Sequence, residues 1–142
     1  MALLSEMPRI FWAGDSTVKQ NDFTSYPQCG IGQGFSLFVK KEILIVNRAE
    51  NGRSTKSFID EGRLEFIKEN IHKGDFLFIQ FGHNDEKNDP LRYTDPQTTF
   101  KDNLRTFINT AKNVGAYPLL ITPLYRRLFA SEGKLVDNTH LT

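Results

Sequence analysis

Short apolar runs alternate with amphipathic stretches along the chain. The apolar runs are rich in branched and aromatic residues and predict four strands, at residues 9–13, 43–46, 76–81 and 118–122. Between them, apolar positions recur at turn-like intervals and predict three helices, at residues 34–41, 57–69 and 99–113. Because the strand runs contain few polar positions, we expect the strands to be buried on both faces.

This alternation of strand and helix predicts an α/β fold. The connections are too long for hairpins, which favours a parallel sheet covered by helices on both faces. A chain of 142 residues suits one domain of about 100–200 residues, so we expect residues 1–142 to form a single domain. Residues 125–142 carry the sequence pattern of neither a fifth strand nor a closing helix. We therefore expect a sheet that is truncated at its C-terminal edge, which a homo-oligomer would cover.

Composition and charge indicate which classes of binding partner are not expected. Lys and Arg number 18 against 17 Asp and Glu, and no basic run tracks a phosphate backbone, so nucleic acid is not an expected partner. Cys29 is the only cysteine, which leaves neither an internal disulfide nor a metal-binding cysteine pair. Residues 1–8 lack the pattern of a signal peptide, and no apolar run approaches the roughly 20 residues of a membrane span. We expect a cytoplasmic protein with no membrane partner.

Three polar loops follow the first three predicted strands and should share one edge of the sheet. In a parallel sheet the carboxyl ends of the strands lie together, and ligands bind there. The loops carry Ser16, Gly52 and Asn84. Ser16 is placed to act as a nucleophile, and Gly52 lets a backbone N–H approach a carbonyl oxygen closely. The Asn84 amide is a neutral donor for an oxyanion. Each loop alone would suit an ordinary turn or helix cap, but three on one edge favour a site.

A serine nucleophile needs a histidine as its base and a carboxylate to orient that histidine. The histidines are His72, His83 and His140. His72 is expected on the far side of the sheet, and His83 is interpreted as a packed neighbour of the site. Asp137 precedes His140 by three residues, so one loop can present both groups. His140 and Asp137 are therefore the predicted base and its partner.

These residues resemble the motif blocks of the SGNH, or GDSL-type, hydrolase superfamily. Its blocks supply a serine, a glycine, an asparagine and a histidine, which here match Ser16, Gly52, Asn84 and His140. Within the superfamily the chain is most similar to the rhamnogalacturonan acetylesterase group, over almost its whole length. The segments that carry this likeness are Gly14-Asp15-Ser16-Thr17-Val18, Asn51-Gly52-Arg53-Ser54, Gln80-Phe81-Gly82-His83-Asn84-Asp85, and Thr122-Pro123 with Arg126-Arg127.

The resemblance implies a flavodoxin-like α/β/α sandwich and a serine esterase that removes acetyl groups from a carbohydrate. It implies no metal or organic cofactor. The oxyanion would be held by the N–H groups of Ser16 and Gly52 and by the Asn84 side chain.

Two interpretations of the C-terminal residues stay open. Either Asp137 and His140 are the catalytic pair, or that pair lies beyond residue 142 and the chain is an inactive fragment. The alternative functions are a non-catalytic carbohydrate-binding or assembly module, and a lipid esterase or thioesterase of the same superfamily.

Overall fold

The computed structural model describes residues 7–125 and 129–134. The strands in these segments are β1 (Ile10–Gly14), β2 (Ile45–Asn47), β3 (Phe76–Gln80) and β4 (Tyr117–Leu120). The α-helices are α1 (Ile31–Gly34), α2 (Thr55–Asp60), α3 (Arg63–Asn70) and α4 (Thr99–Lys112). Two short 3-10 helices cover Phe23–Ser25 and Phe35–Phe38. The four predicted strands are all present, with ends shifted by one or two residues.

The strands form one parallel sheet in the order β2-β1-β3-β4. This confirms the predicted α/β class and the parallel arrangement. Burial differs between the strands, however. All of β1 is buried, β2 is half-buried, and the edge strand β4 exposes Tyr117, Leu119 and Leu120. The expectation that every strand is buried on both faces was wrong for β2 and β4, because an apolar run is the same in sequence whether its strand lies at the centre or the edge of a sheet.

Successive side chains of β1 and β3 point to opposite faces and enter two separate cores. On one face Phe11, Ala13, Leu77 and Ile79 lie beneath α2, α3 and α4, whose fully buried residues include Phe58, Ile67 and Phe107. On the other face Trp12 packs against Phe35 and Phe78, with ring centroids at 5.7 and 4.9 Å in edge-to-face geometry. Both faces of the sheet are therefore covered, the second by α1 and the 3-10 turn that follows it.

Two of the three predicted helices differ from the structure. Residues 34–41 were expected to be helical, but the segment is a 3-10 turn with Leu37 and Phe38 exposed. Residues 57–69 were expected to form one helix, but Gly62 adopts a φ of +73° and divides it into α2 and α3. A left-handed residue cannot continue a right-handed helix, so the chain changes direction there. The third prediction, 99–113, matches α4.

An ion pair between the half-buried Arg9 and the buried Asp75 joins the amino ends of β1 and β3. Asp75 accepts hydrogen bonds from the Arg9 backbone N–H at 2.8 Å, from Arg9 Nη2 at 2.7 Å and from the His72 N–H at 2.8 Å. Burial alone would raise the pKa of the Asp75 carboxyl, but these hydrogen bonds outweigh it and hold the pKa below its ordinary value. The opposite end of the sheet carries the candidate site.

Candidate active site

In this sheet order a ligand-binding crevice is expected between the carboxyl ends of β1 and β3. The next strand after β1, β2, lies on one side of β1, and β3 lies on its other side. The boundary between β1 and β3 is therefore the topological switch point of the sheet. Gly14 at the end of β1 lies opposite Gln80 at the end of β3. Since Ser16 follows Gly14 by two residues and Asn84 follows Gln80 by four, their loops begin at the same level of the sheet.

Ser16 occupies a tight turn that its neighbour Asp15 organises. The buried Asp15 carboxyl accepts hydrogen bonds from the Thr17 N–H at 2.8 Å and from Thr17 Oγ1 at 2.7 Å. Gly14 is required just before the turn, because a Cβ there would lie 2.6 Å from a Val18 methyl carbon. Ser16 itself is half-buried, and none of the described residues forms a hydrogen bond with its hydroxyl. The hydroxyl is thus not committed to a structural contact with the described part of the chain.

The loop that carries Gly52 runs alongside the end of β1. The Glu50 N–H donates to the Gly14 carbonyl at 3.2 Å, so the loop continues the pairing of β2 with β1. Gly52 has a φ of +74°, a conformation that favours glycine over residues with a Cβ. Two residues later Ser54 begins α2 with a capping box, in which its hydroxyl accepts from the Ser57 N–H and the Ser57 hydroxyl accepts in return.

Asn84 is buried and joins the third loop to the second. Its Nδ2 donates a hydrogen bond to the Arg53 carbonyl at 3.0 Å, directly next to Gly52. A primary amide carries two N–H donors. One of them fixes the side chain against the second loop, and the other has no partner among the described residues.

The neighbouring Asp85 is a structural residue of the site that the sequence analysis did not single out. Its fully buried carboxyl accepts hydrogen bonds from the Thr55 N–H at 3.0 Å, from the Thr55 hydroxyl, and from the Thr94 hydroxyl at 2.9 Å. It therefore holds the start of α2 and the far end of the 86–94 loop at one point. Its position directly after Asn84 was the available signal, but one of its partners, Thr55, lies 30 residues away in sequence.

His83 is buried beside the nucleophile turn. Its Nε2 lies 2.6 Å from the Leu124 carbonyl, and its Nδ1 lies 3.9 Å from Asp15 Oδ2. A carbonyl oxygen only accepts hydrogen bonds, so Nε2 carries the proton of that contact. The interpretation of His83 as a packed neighbour agrees with this geometry. The contact also ties the segment after β4 to the loop after β3.

The structure brings the loops of Ser16, Gly52 and Asn84 to one edge of the sheet. The predicted pair Asp137 and His140 lies outside the described residues. His72 lies at the opposite end of the sheet, where Arg9 Nη2 contacts its Nδ1 at 2.9 Å. Within residues 7–125 and 129–134, no three His, Cys, Asp or Glu side chains are arranged to hold a metal ion. The same residues include no helix that is long and apolar enough to cross a bilayer.

Several known proteins are similar to this chain in sequence or in structure. The chain is 43% identical over 127 residues to the rhamnogalacturonan acetylesterase RhgT of Bacillus subtilis. It is 49% identical over 118 residues to the probable rhamnogalacturonan acetylesterase YesY of the same organism. The crystal structure of the B. subtilis protein YxiM has 33% identity, a TM-score of 0.76, and coverage of 88% of this chain and 35% of its own. These similarities support membership of the SGNH, or GDSL-type, hydrolase superfamily.

These matches extend over most of this chain but only part of each relative. The alignments cover 89% and 82% of the chain, against 53% of RhgT and 54% of YesY. The chain thus spans about half the length of these two SGNH relatives. No family model matches it.

Proposed function

We propose that this SGNH hydrolase is a serine esterase that removes acetyl groups from a carbohydrate of the rhamnogalacturonan type. The observation that carries the proposal is the meeting of three polar loops at the β1–β3 crevice, with Asn84 bonded to the Gly52 loop. The identity of 43% and 49% to relatives named as acetylesterases supports the substrate class.

In the proposed reaction Ser16 Oγ attacks the carbonyl carbon of the acetyl ester while a histidine takes its proton. His140 is the proposed base, and Asp137 stabilises the imidazolium that forms. The tetrahedral oxyanion receives hydrogen bonds from the N–H groups of Ser16 and Gly52 and from the second N–H of Asn84. Collapse of this intermediate breaks the bond to the sugar oxygen, which takes the proton from the histidine. Water then attacks the acyl-enzyme with the same histidine as base, and acetate leaves.

The observed contacts favour this division of roles. His83 Nε2 is engaged by the Leu124 carbonyl, so that nitrogen is not available to take a proton from Ser16. The Asn84 side chain is fixed before any substrate arrives, because its other N–H is bonded to Arg53. A donor held in place stabilises a developing charge without the cost of reorganisation.

The proposal is tested by substituting Ser16→Ala and measuring acetate release from acetylated rhamnogalacturonan and from a small chromogenic acetyl ester. We expect kcat to fall by about 10⁴-fold or more, because the alanine leaves no nucleophile. Ser36→Ala is the matched control, since this exposed serine lies in the 3-10 turn and bonds only to the Gln33 carbonyl. Unchanged rates in the Ser16 variant would refute the mechanism.

The assignment of the base is tested in the same assays with His140→Ala. A loss similar to that of the serine variant is expected, since the two residues act as a unit. His72→Ala is the control, because His72 lies at the far end of the sheet. Full activity in the His140 variant would show that the base is another histidine.

A further inference from the structure

An arginine guanidinium lies beside the loop that carries Gly52. A Cβ built on Gly52 would have Arg92 Nη1 3.8 Å away, with no other atom of a distant described residue within 4 Å. The space in front of Gly52 is therefore bordered by a positive charge. Arg92 comes from the 86–94 loop, which follows the Asn84 block after β3.

Asp89 holds this guanidinium in one orientation. Arg92 Nε donates to Asp89 Oδ2 at 2.6 Å, and the Arg92 backbone N–H donates to the Asp89 carbonyl at 2.9 Å. The other oxygen, Asp89 Oδ1, accepts from the Leu91 N–H at 3.0 Å. Hydrogen bonds from the Leu91 backbone and from the Arg92 side chain keep the pKa of Asp89 below its ordinary value. Asp89 is therefore ionised at neutral pH, where it binds the Nε side of the guanidinium.

The opposite end of the guanidinium is available to a ligand. Nη1 and Nη2 form no hydrogen bond with another described residue, and 32% of the side chain is exposed. These two nitrogens present parallel N–H donors that match the two oxygens of a carboxylate. Lys56 adds a second positive charge nearby, with its Nζ bonded to the Pro90 carbonyl at 2.6 Å. The single negative charge of Asp89 offsets only one of the two positive charges of Arg92 and Lys56.

Arg92 and Gly52 are held by the same buried group. Asp85 bonds Thr55, which follows the Gly52 loop, and Thr94, which follows Arg92. The Thr94 N–H also donates to the Asp85 carbonyl at 3.0 Å. The backbone on both sides of the candidate site, after the Gly52 loop and after Arg92, is therefore held by one buried carboxylate.

We propose that Arg92 is a specificity-determining residue that binds the carboxylate of an acidic sugar next to the acetyl group being removed. The inference rests on the proposed function, in which Gly52 binds the reacting acetyl carbonyl. A sugar carboxylate bound at Nη1 and Nη2 would hold the ester at the crevice. Arg92 thereby selects acetylated uronates over acetylated neutral sugars.

The test compares an O-acetylated galacturonate oligosaccharide with the same oligosaccharide methyl-esterified at its carboxyl groups. For the parent we expect a kcat/KM at least about tenfold higher on the free acid, in line with a charge-assisted hydrogen-bonded pair. Arg92→Gln is expected to remove this preference mainly through KM, and Arg92→Lys to restore part of it. The rate on a small neutral acetyl ester, which has no carboxylate, should fall by less than the rate on the free acid.

Arg105→Gln is the matched control, because Arg105 forms the same i,i+3 ion pair with an aspartate, Asp102, on the exposed face of α4. An Arg92→Gln variant that keeps the preference for the free acid would overturn the proposal. Equal loss on the acid, the methyl ester and the small ester would also overturn it, since Arg92 would then act at the reacting carbonyl.

Calorimetric binding to a Ser16→Ala protein separates this proposal from the function on which it rests. With Arg92→Gln added, affinity for the free acid should fall about tenfold, while affinity for the methyl ester should not change. A parent that cleaves no acetyl ester would refute the esterase, and this binding comparison would still decide the role of Arg92. Equal affinity with and without the arginine would overturn it.

Discussion

Replacing Asp85 should loosen the two loops that frame the site and lower the stability of the protein. In Asp85→Ala three buried donors lose their acceptor: the Thr55 N–H, the Thr55 hydroxyl and the Thr94 hydroxyl. Asn103 Nδ2 still donates to the Thr55 hydroxyl at 3.0 Å, but a donor cannot replace a lost acceptor. No solvent reaches these groups, because Thr55 and Thr94 are both buried.

The size of the effect follows from the number of hydrogen bonds to Asp85 that the substitution removes. Each buried hydrogen bond to a charged acceptor contributes about 1.5–3 kcal/mol, and such contributions do not add fully within one network. We therefore expect Asp85→Ala to reduce the free energy of unfolding by about 4 kcal/mol. Unfolding entropy of about 2.1 cal/mol/K per residue amounts to about 0.3 kcal/mol/K for 142 residues, so Tm should fall by about 13 °C.

Asp85→Asn supplies an intermediate step in the same series. The asparagine keeps one acceptor oxygen, but it places an NH₂ group where Asp85 Oδ2 lies 3.1 Å from the Thr55 N–H. Two donors then face each other, and we expect a loss of about 2 kcal/mol. Asp60→Asn is the control, since Asp60 is exposed at the end of α2 and should leave Tm within about 1 °C.

Thermal and urea unfolding measure the stability of the parent and of the two Asp85 variants. Acetyl esterase rates, measured below the unfolding transition, show whether the two loops keep their positions. The parent should be the most stable, followed by Asp85→Asn and then by Asp85→Ala. Esterase activity should fall in the same order, because the Gly52 and Arg92 loops both depend on Asp85. A Tm for Asp85→Ala within about 2 °C of the parent would refute the reasoning. It would mean that the three hydrogen bonds add nothing beyond what water provides.

Two further predictions follow from the contacts at opposite ends of the sheet. Asn84→Ala should lower kcat on a small acetyl ester by about 10²–10³-fold, and a loss under threefold would remove Asn84 from the proposed oxyanion hole. Asp75→Asn should lower the free energy of unfolding by about 1–3 kcal/mol at pH 7. The Asp75 pKa is lowered in the folded state, so its contribution is complete above the unfolded pKa of about 3.9 and disappears as pH falls through the folded value. Urea unfolding from pH 7 to pH 3 should show the parent and the variant converging, and a constant difference would contradict the assigned role.

The main features of the site region follow from local sequence. Gly14, Asp15 and Ser16 come directly after a run of apolar residues, and such a run followed by turn-forming residues predicts a strand that ends in a tight turn. The same logic located the loops of Gly52 and Asn84, since parallel strands place their carboxyl ends together. The structure brings the three loops to one edge, as expected, while their catalytic roles and the roles of Asp137 and His140 stay predictions.

Sequence alone determined the class of fold, the strands and the positions of the polar loops, because these depend on residue periodicity within short windows. Tertiary structure decided what depends on packing between distant segments. Arg92 lies near Gly52 in a region where Asp85 joins the two loops, and no periodicity records such a contact. Likewise β4 exposes its apolar residues because it lies at an edge of the sheet, and hydrophobicity along a strand does not state how many neighbours the strand will have.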